Sequence, residues 1–140
     1  MKREAEQREI QAGAPGVGAV LFASDCHALA NFYAEVLGFV ALEREGDFVR
    51  LERDGFELLV HAMHGDAASR TRFDAPPRRR SESPVKLVFA IDDIGATRDA
   101  VERLAGRLDD DAKAWRFRGG RVLDGEDPEG NVFQLRERAP

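Results

Sequence analysis

The 140-residue chain has one cysteine, Cys26, so no disulfide can form within it and a Cys-rich zinc site is excluded by count. Long hydrophobic runs are also missing. The longest apolar stretch, Val17 to Ala23, is far shorter than a membrane span requires. Nor does charge of one sign dominate: 21 Lys plus Arg face 26 Asp plus Glu, a formal net charge of −5 that gives no whole-protein field for holding nucleic acid. The start, Met1 to Glu9, is charged where a signal peptide needs an apolar run, so a cytoplasmic location is expected. What is present is 43% hydrophobic sequence, enough to close one core.

Periodicity divides the chain into two similar halves. Residues 1–16 form a charged tail ending at Gly13-Ala14-Pro15-Gly16, and the domain runs over 17–137. Val17 to Ala23 reads as a buried strand, Ser24 or Asp25 as a helix cap, and Leu29, Phe32, Tyr33, Val36 and Leu37 as one apolar helical stripe closed by Gly38. Strand-like pieces follow at Phe39–Glu43, Phe48–Glu52 and Phe56–Ala62, with Asp54-Gly55 as a hairpin signal. From about 64 to 84 the pattern stops in an Arg- and Pro-rich linker. It then restarts: a strand at Val85–Ile91, a cap at Asp92 or Asp93, a helix carrying Ile94, Thr97, Val101, Leu104, Ala105 and Leu108, and strands near Lys113–Arg118, Gly120–Leu123 and Asn131–Arg136. The expected architecture is α+β, two tandem βαβββ modules over about 17–63 and 85–137.

This repeat resembles the vicinal oxygen chelate superfamily of glyoxalase I, bleomycin-resistance proteins and extradiol dioxygenases. The residues that carry the resemblance are Ser24-Asp25, Asn31-Phe32-Tyr33 and Val36-Leu37-Gly38-Phe39 in the first half, and Asp127-Pro128-Glu129-Gly130-Asn131 followed by Val132-Phe133-Gln134-Leu135 in the second. The Pro-Glu-Gly-Asn sequence suits a reversal, with Pro128 presetting the turn and Gly130 free to take positive φ. The resemblance implies two curved sheets forming a cup, a metal on four inward side chains, and a homodimer. The four family positions fall on Gly18, Glu57, Lys86 and Gln134, with Leu59 or His61 as alternatives to Glu57. Only Glu57 is an ordinary ligand: Gly18 has no side chain, Lys86 brings a positive charge, and an amide at Gln134 is a weaker donor than carboxylate. No metal or other cofactor is therefore expected at that set.

Strand parity places Glu57, Leu59 and His61 on one face of their strand, Lys86, Val88 and Ala90 on one face of theirs, and Val132, Gln134 and Arg136 on one face of the last. Lys86, Glu57, His61, Gln134 and Arg136 are thus expected to share a half-polar concavity with Val20 and Phe22. Lys86 then either makes an ordinary ion pair with Glu57 or stands in for the metal and offers its ammonium to a small anionic or carbonyl-bearing ligand. Trp115 and Phe117 are placed either to stack on that ligand or to pack into the core. His61 and His64, with Asp66 nearby, make a two-His metal site only if the chain bends after the strand. Cys26 at a helix start, beside His27, is either an activated thiol or a core residue. The linker arginines read as a solvated connector, with Asp109-Asp110-Asp111 to balance them, or as a protein-interaction surface. The preferred reading is metal-independent small-molecule binding. The alternatives are a metal-dependent lyase, isomerase or dioxygenase, or a metal-free enzyme with Glu57 or His61 as general base.

Overall fold

A computed structural model describes residues 15–64 and 78–138, so residues 1–14 of the expected tail and the middle of the linker, with Asp66, lie outside the described residues. The first half runs β1 (Val17–Ala23), α1 (Cys26–Leu37), β2 (Val40–Arg44), β3 (Phe48–Arg53) and β4 (Phe56–Ala62). The second runs β5 (Leu87–Ile91), α2 (Arg98–Arg103), β6 (Arg107–Leu108), β7 (Trp115–Phe117), β8 (Gly120–Glu126) and β9 (Val132–Glu137). Each half folds into a mixed sheet of the same topology: β1 pairs parallel with β4, β4 antiparallel with β3, and β3 antiparallel with β2. In the second sheet β5, β9 and β8 repeat that order, and β6 and β7 both pair with β8.

Local chemistry explains most boundaries. Asp25 caps α1, its Oδ1 accepting the Ala28 N–H at 3.1 Å, and Gly38 ends the helix in the left-handed region at φ 73°. Asp54 (φ 50°) and Gly55 (φ 82°) both take positive φ, as a two-residue hairpin turn requires. The α1 stripe of Leu29, Phe32, Tyr33 and Leu37 is buried, and it faces Phe133 and Phe89 of the other half as well as its own sheet. One core therefore serves both modules.

Four expected elements of the second half differ, one of them the strand expected at Gly120–Leu123, which runs on to Glu126. The strand expected from Val85 begins at Leu87, because Ser83 Oγ brackets Val85 by accepting its N–H at 3.4 Å and donating to its carbonyl at 3.0 Å, and Val85 is left exposed. The helix expected to reach Leu108 stops at Arg103. Ala105 turns to φ 66° and Gly106 N–H closes on Val101 O at 2.8 Å, a left-handed helix stop. A Cβ on Gly106 would lie 2.6 Å from the Phe32 ring, so this close approach requires glycine. Leu108 is buried from strand β6 instead. The strand expected over Lys113–Arg118 is only Trp115–Phe117, because the edge partner of β8 is divided into β6 and β7 by a turn through Asp111–Lys113.

The two modules are joined chemically at the two motifs. Glu129 accepts the N–H groups of Ser24 (2.7 Å) and Asp25 (3.1 Å), so the last turn of the second module holds the helix start of the first. Beside it the Tyr33 hydroxyl donates to Asp127 Oδ2 at 2.7 Å, and Asp127 also accepts from the backbone N–H groups of Glu129 and Asn131 and from the Asn131 amide. Burial pushes the Asp127 carboxyl above its ordinary value, outweighing the opposing pull of these donors. The folded chain therefore holds that proton more tightly than the unfolded chain. Stability from this group is complete below the unfolded value of 3.8 and is lost as the pH rises through the raised folded value. In urea unfolding, the stability advantage of wild type over Asp127→Asn should narrow as the pH rises above the unfolded value of 3.8. An advantage that widens with rising pH would contradict the assignment.

Candidate functional site

On the face of the first sheet away from α1, parity and register assemble Gly18, Val20 and Phe22 of β1, Glu57, Leu59 and His61 of β4, and Phe48 and Arg50 of β3. Glu57 is bonded to Arg50 at 3.4 Å, and Arg50 also reaches Glu43 at 3.3 Å. His61 sits between Phe48, stacked at 6.2 Å and 11°, and Phe22, edge-on at 6.1 Å. Phe22 is exposed.

The corresponding face of the second sheet is more polar. Lys86 Nζ lies 2.8 Å from Asp124 Oδ2, and Gln134 Nε2 donates to Asp124 Oδ1 at 3.3 Å. Gln134 Oε1 accepts from Arg136 Nε at 2.7 Å, and the Arg136 guanidinium lies 4.8 Å over the Phe117 ring. Lys86, Asp124, Gln134, Arg136 and Phe117 thus form one connected chain of contacts. Trp115 (42% exposed) and Phe117 (43%) are open to solvent, so neither is a core residue.

The residues expected to share one concavity are divided: Lys86, Gln134 and Arg136 join through Asp124 on the second sheet, while Glu57 and His61 lie on the first with partners of their own. Lys86 pairs with Asp124 and Glu57 with Arg50. Sequence reasoning missed Asp124 because its strand was expected to end at Leu123; extension of β8 to Glu126 puts Asp124 opposite Gln134. Alternation continued two residues further would have found it.

Lys86 lines two recesses. A cleft of about 290 Å³ between the modules is bounded by Phe39, Phe56, Val88 and Phe89, with Arg53, Lys86 and Arg138 as cations and Asp54 as the acid. A smaller one of about 160 Å³ lies under the described end of the linker, where Arg79, Arg80, Ser81 and Ser83 meet Lys86 and Asp124. Arg79 is held there by Asp109 at 2.6 Å, so the linker arginine is anchored to the Asp109-Asp110-Asp111 run. The Lys86 ammonium has three donors, of which Asp124 takes one.

The four positions at which the fold family holds a metal do not suit one here. A Cβ on Gly18 would lie 2.8 Å from the Glu57 carbonyl oxygen, so the backbone leaves no space for a ligating side chain. Lys86 contributes a cation, the Gln134 oxygen is already an acceptor for Arg136, and Glu57 is held by Arg50. This donor set is built for charge pairs within the protein and offers one carboxylate to a metal.

Cys26 is buried on α1. Burial first, then Asp25 nearby, pushes its thiol up, against the pull of backbone hydrogen bonds at the helix start. The activated-thiol alternative is corrected to a core residue.

Comparison with known proteins places this geometry. A sequence model described as a glyoxalase-like domain matches residues 18–136. No curated protein matches the chain. Among solved structures, a hypothetical protein from S. aureus is similar at a TM-score of 0.62 and 15% identity, over 93% of this chain and 98% of that one. A glyoxalase-related enzyme from Fulvimarina pelagi is similar at 0.60 and 19%, over 87% and 86%. A glyoxalase/bleomycin resistance protein/dioxygenase family enzyme from Burkholderia phytofirmans PsJN is similar at 0.57 and 23%, over 89% and 98%. At these identities the likeness is one of fold.

As the chain has one thiol, its reactivity is directly measurable. At about pH 7.5, 5,5′-dithiobis(2-nitrobenzoate) should label native Cys26 at least about tenfold more slowly than the urea-unfolded chain. Equal rates would show an accessible, activated thiol instead.

Proposed function

The chain belongs to the glyoxalase-like domain family of the vicinal oxygen chelate superfamily, and on that premise we propose that it binds a small anionic or carbonyl-bearing molecule without a metal at the family's four positions. The observation that carries this reading is the placement of Lys86. Its ammonium keeps hydrogen-bonding capacity beyond Asp124 and borders an apolar cleft of about 290 Å³, where the other two cations, Arg53 and Arg138, pair with Asp54 and Asp92. A ligand of a few apolar atoms and one carboxylate or polarised carbonyl fits that lining: Phe39, Phe56 and Val88 cover the apolar part, and Lys86 meets the charge. Asp124 and Gln134 position the ammonium, and Arg136 holds the Gln134 amide in place.

The reading includes a homodimer in a cytoplasmic setting. Supporting the dimer are Val20, Phe22, Val40, Leu42, Val88, Trp115 and Phe117, large apolar side chains of the two sheets that are all exposed in the single chain. A second copy laid across them would bury that surface and close the ligand off from water.

The test is calorimetry with benzoylformate, pyruvate, malonate and phosphate, on protein whose mass by sedimentation is also determined. At least one of these anions should bind, and Lys86→Met should weaken it by about 10- to 100-fold, the worth of one charge-assisted hydrogen bond. The Lys86–Asp124 pair is partly exposed, so the variant should stay folded, with stability within about 1 kcal/mol of wild type. No binding by any of the four, or equal binding by Lys86→Met, would overturn the reading.

A further inference from the structure

We propose that Asp47, His61 and His64 form a binding site for a divalent transition-metal ion of the zinc class, on the rim of the first sheet and separate from the Lys86 site. Two of the chain's three histidines meet here. Strand β4 ends at Ala62, so the chain bends before His64 and brings its ring back to 5.2 Å from that of His61. This is the bend a two-His site needs, and the carboxylate that completes it is Asp47, contributed by the β2–β3 turn.

The geometry is close to what a metal would demand. Asp47 Oδ2 lies 3.7 Å from His64 Nε2 and 4.0 Å from His61 Nε2, and one ligand atom from each of the three residues falls within 4.8 Å of the others. Bonds of about 2.0–2.2 Å in a tetrahedral shell place ligand atoms roughly 3.3–3.5 Å apart. Small rotations of Asp47 and His64, both largely exposed, close the difference.

A second feature prepares the site. His61 Nδ1 lies 2.8 Å from the Ala62 carbonyl oxygen, which only accepts, so Nδ1 donates there and Nε2, the ring nitrogen on the Asp47 side, is the atom available to bind a metal. Phe48 stacked on the ring and Phe22 at its edge fix its plane and wall one side of the site with apolar surface. The backbone beneath is tied as well: Ala62 N–H bonds Asp47 O at 2.7 Å and Met63 N–H bonds Ala23 O at 2.9 Å. Two imidazoles and one carboxylate select zinc, cobalt or nickel over magnesium and calcium, which prefer all-oxygen shells. Three protein ligands leave a coordination position for water or an exogenous donor. His61 is one alternative to Glu57 at a family position, but Asp47 and His64 lie at none of the four, and the site does not depend on ligand binding at Lys86.

The test uses the untagged full chain, stripped with a chelator and dialysed, titrated with Co²⁺ by visible absorption and with Zn²⁺ by calorimetry. Binding of one Zn²⁺ per chain is expected at micromolar affinity or tighter, with excess Mg²⁺ unable to compete. His64→Ala and Asp47→Asn, substitutions at exposed positions, should each weaken Zn²⁺ by at least about tenfold, whereas His27→Ala should leave it unchanged. Absence of saturable one-to-one binding, or equal binding by wild type and both variants, would overturn the proposal and leave Asp47 as an ion-pair acceptor for the two histidines.

Discussion

The arrangement of this protein depends on a pair of carboxylates in one turn. Glu129 holds the first two N–H groups at the entry to α1, and Asp127, buried beside it, receives the hydroxyl of Tyr33 from the same helix. Each module alone could pair its strands. These contacts, with the Phe32, Tyr33, Phe89 and Phe133 cluster around them, hold one module against the other. Leaving either carboxylate unpartnered would cost on the order of 1–3 kcal/mol or more in so dry a setting, so the turn and the helix entry specify one mutual placement. The position of Lys86 near Phe56 and Arg53, across the module boundary, follows from that placement.

What the sheets then present is two surfaces of different chemistry. The second sheet offers a cation held by Asp124, itself bonded by Gln134, at the border of an apolar cleft. The first offers Glu57 neutralised by Arg50 in its middle and a cluster of imidazoles with a carboxylate at its rim. With Gly18 and Lys86 at two of the positions that the resemblance assigns to a metal, the centre of this face carries charge pairs within the protein. The same fold keeps ligand-type residues elsewhere.

Much of this was legible in the sequence. Asp25, Gly38 and Asp54-Gly55 announced their cap, helix stop and hairpin because each acts within a few residues of its own position. Strand parity put Glu57 with His61 and Gln134 with Arg136 correctly, since a period of two is set by the backbone. What escaped was set by partners distant in sequence. Asp124 meets Lys86 through pairing of β8 with β9, and Asp47 meets His61 because Phe48 lies opposite His61 in the β3–β4 register. The early end of α2 depends on Phe32, far away in the chain, which admits only glycine at 106. Local pattern cannot report such contacts.

The central claim is that the charge needed for ligand binding comes from Lys86 and not from a metal at the family's four positions. The only tryptophan, Trp115, lies exposed on the same sheet face as Arg136 and its neighbours, so its fluorescence reports on that surface. The most direct measurement is a fluorescence titration with the anion that binds best, carried out on one preparation before and after exhaustive chelation of divalent metal. The account predicts the same dissociation constant within about a factor of two. Loss of binding on chelation, restored by adding back Zn²⁺, Ni²⁺, Mn²⁺ or Fe²⁺, would contradict it.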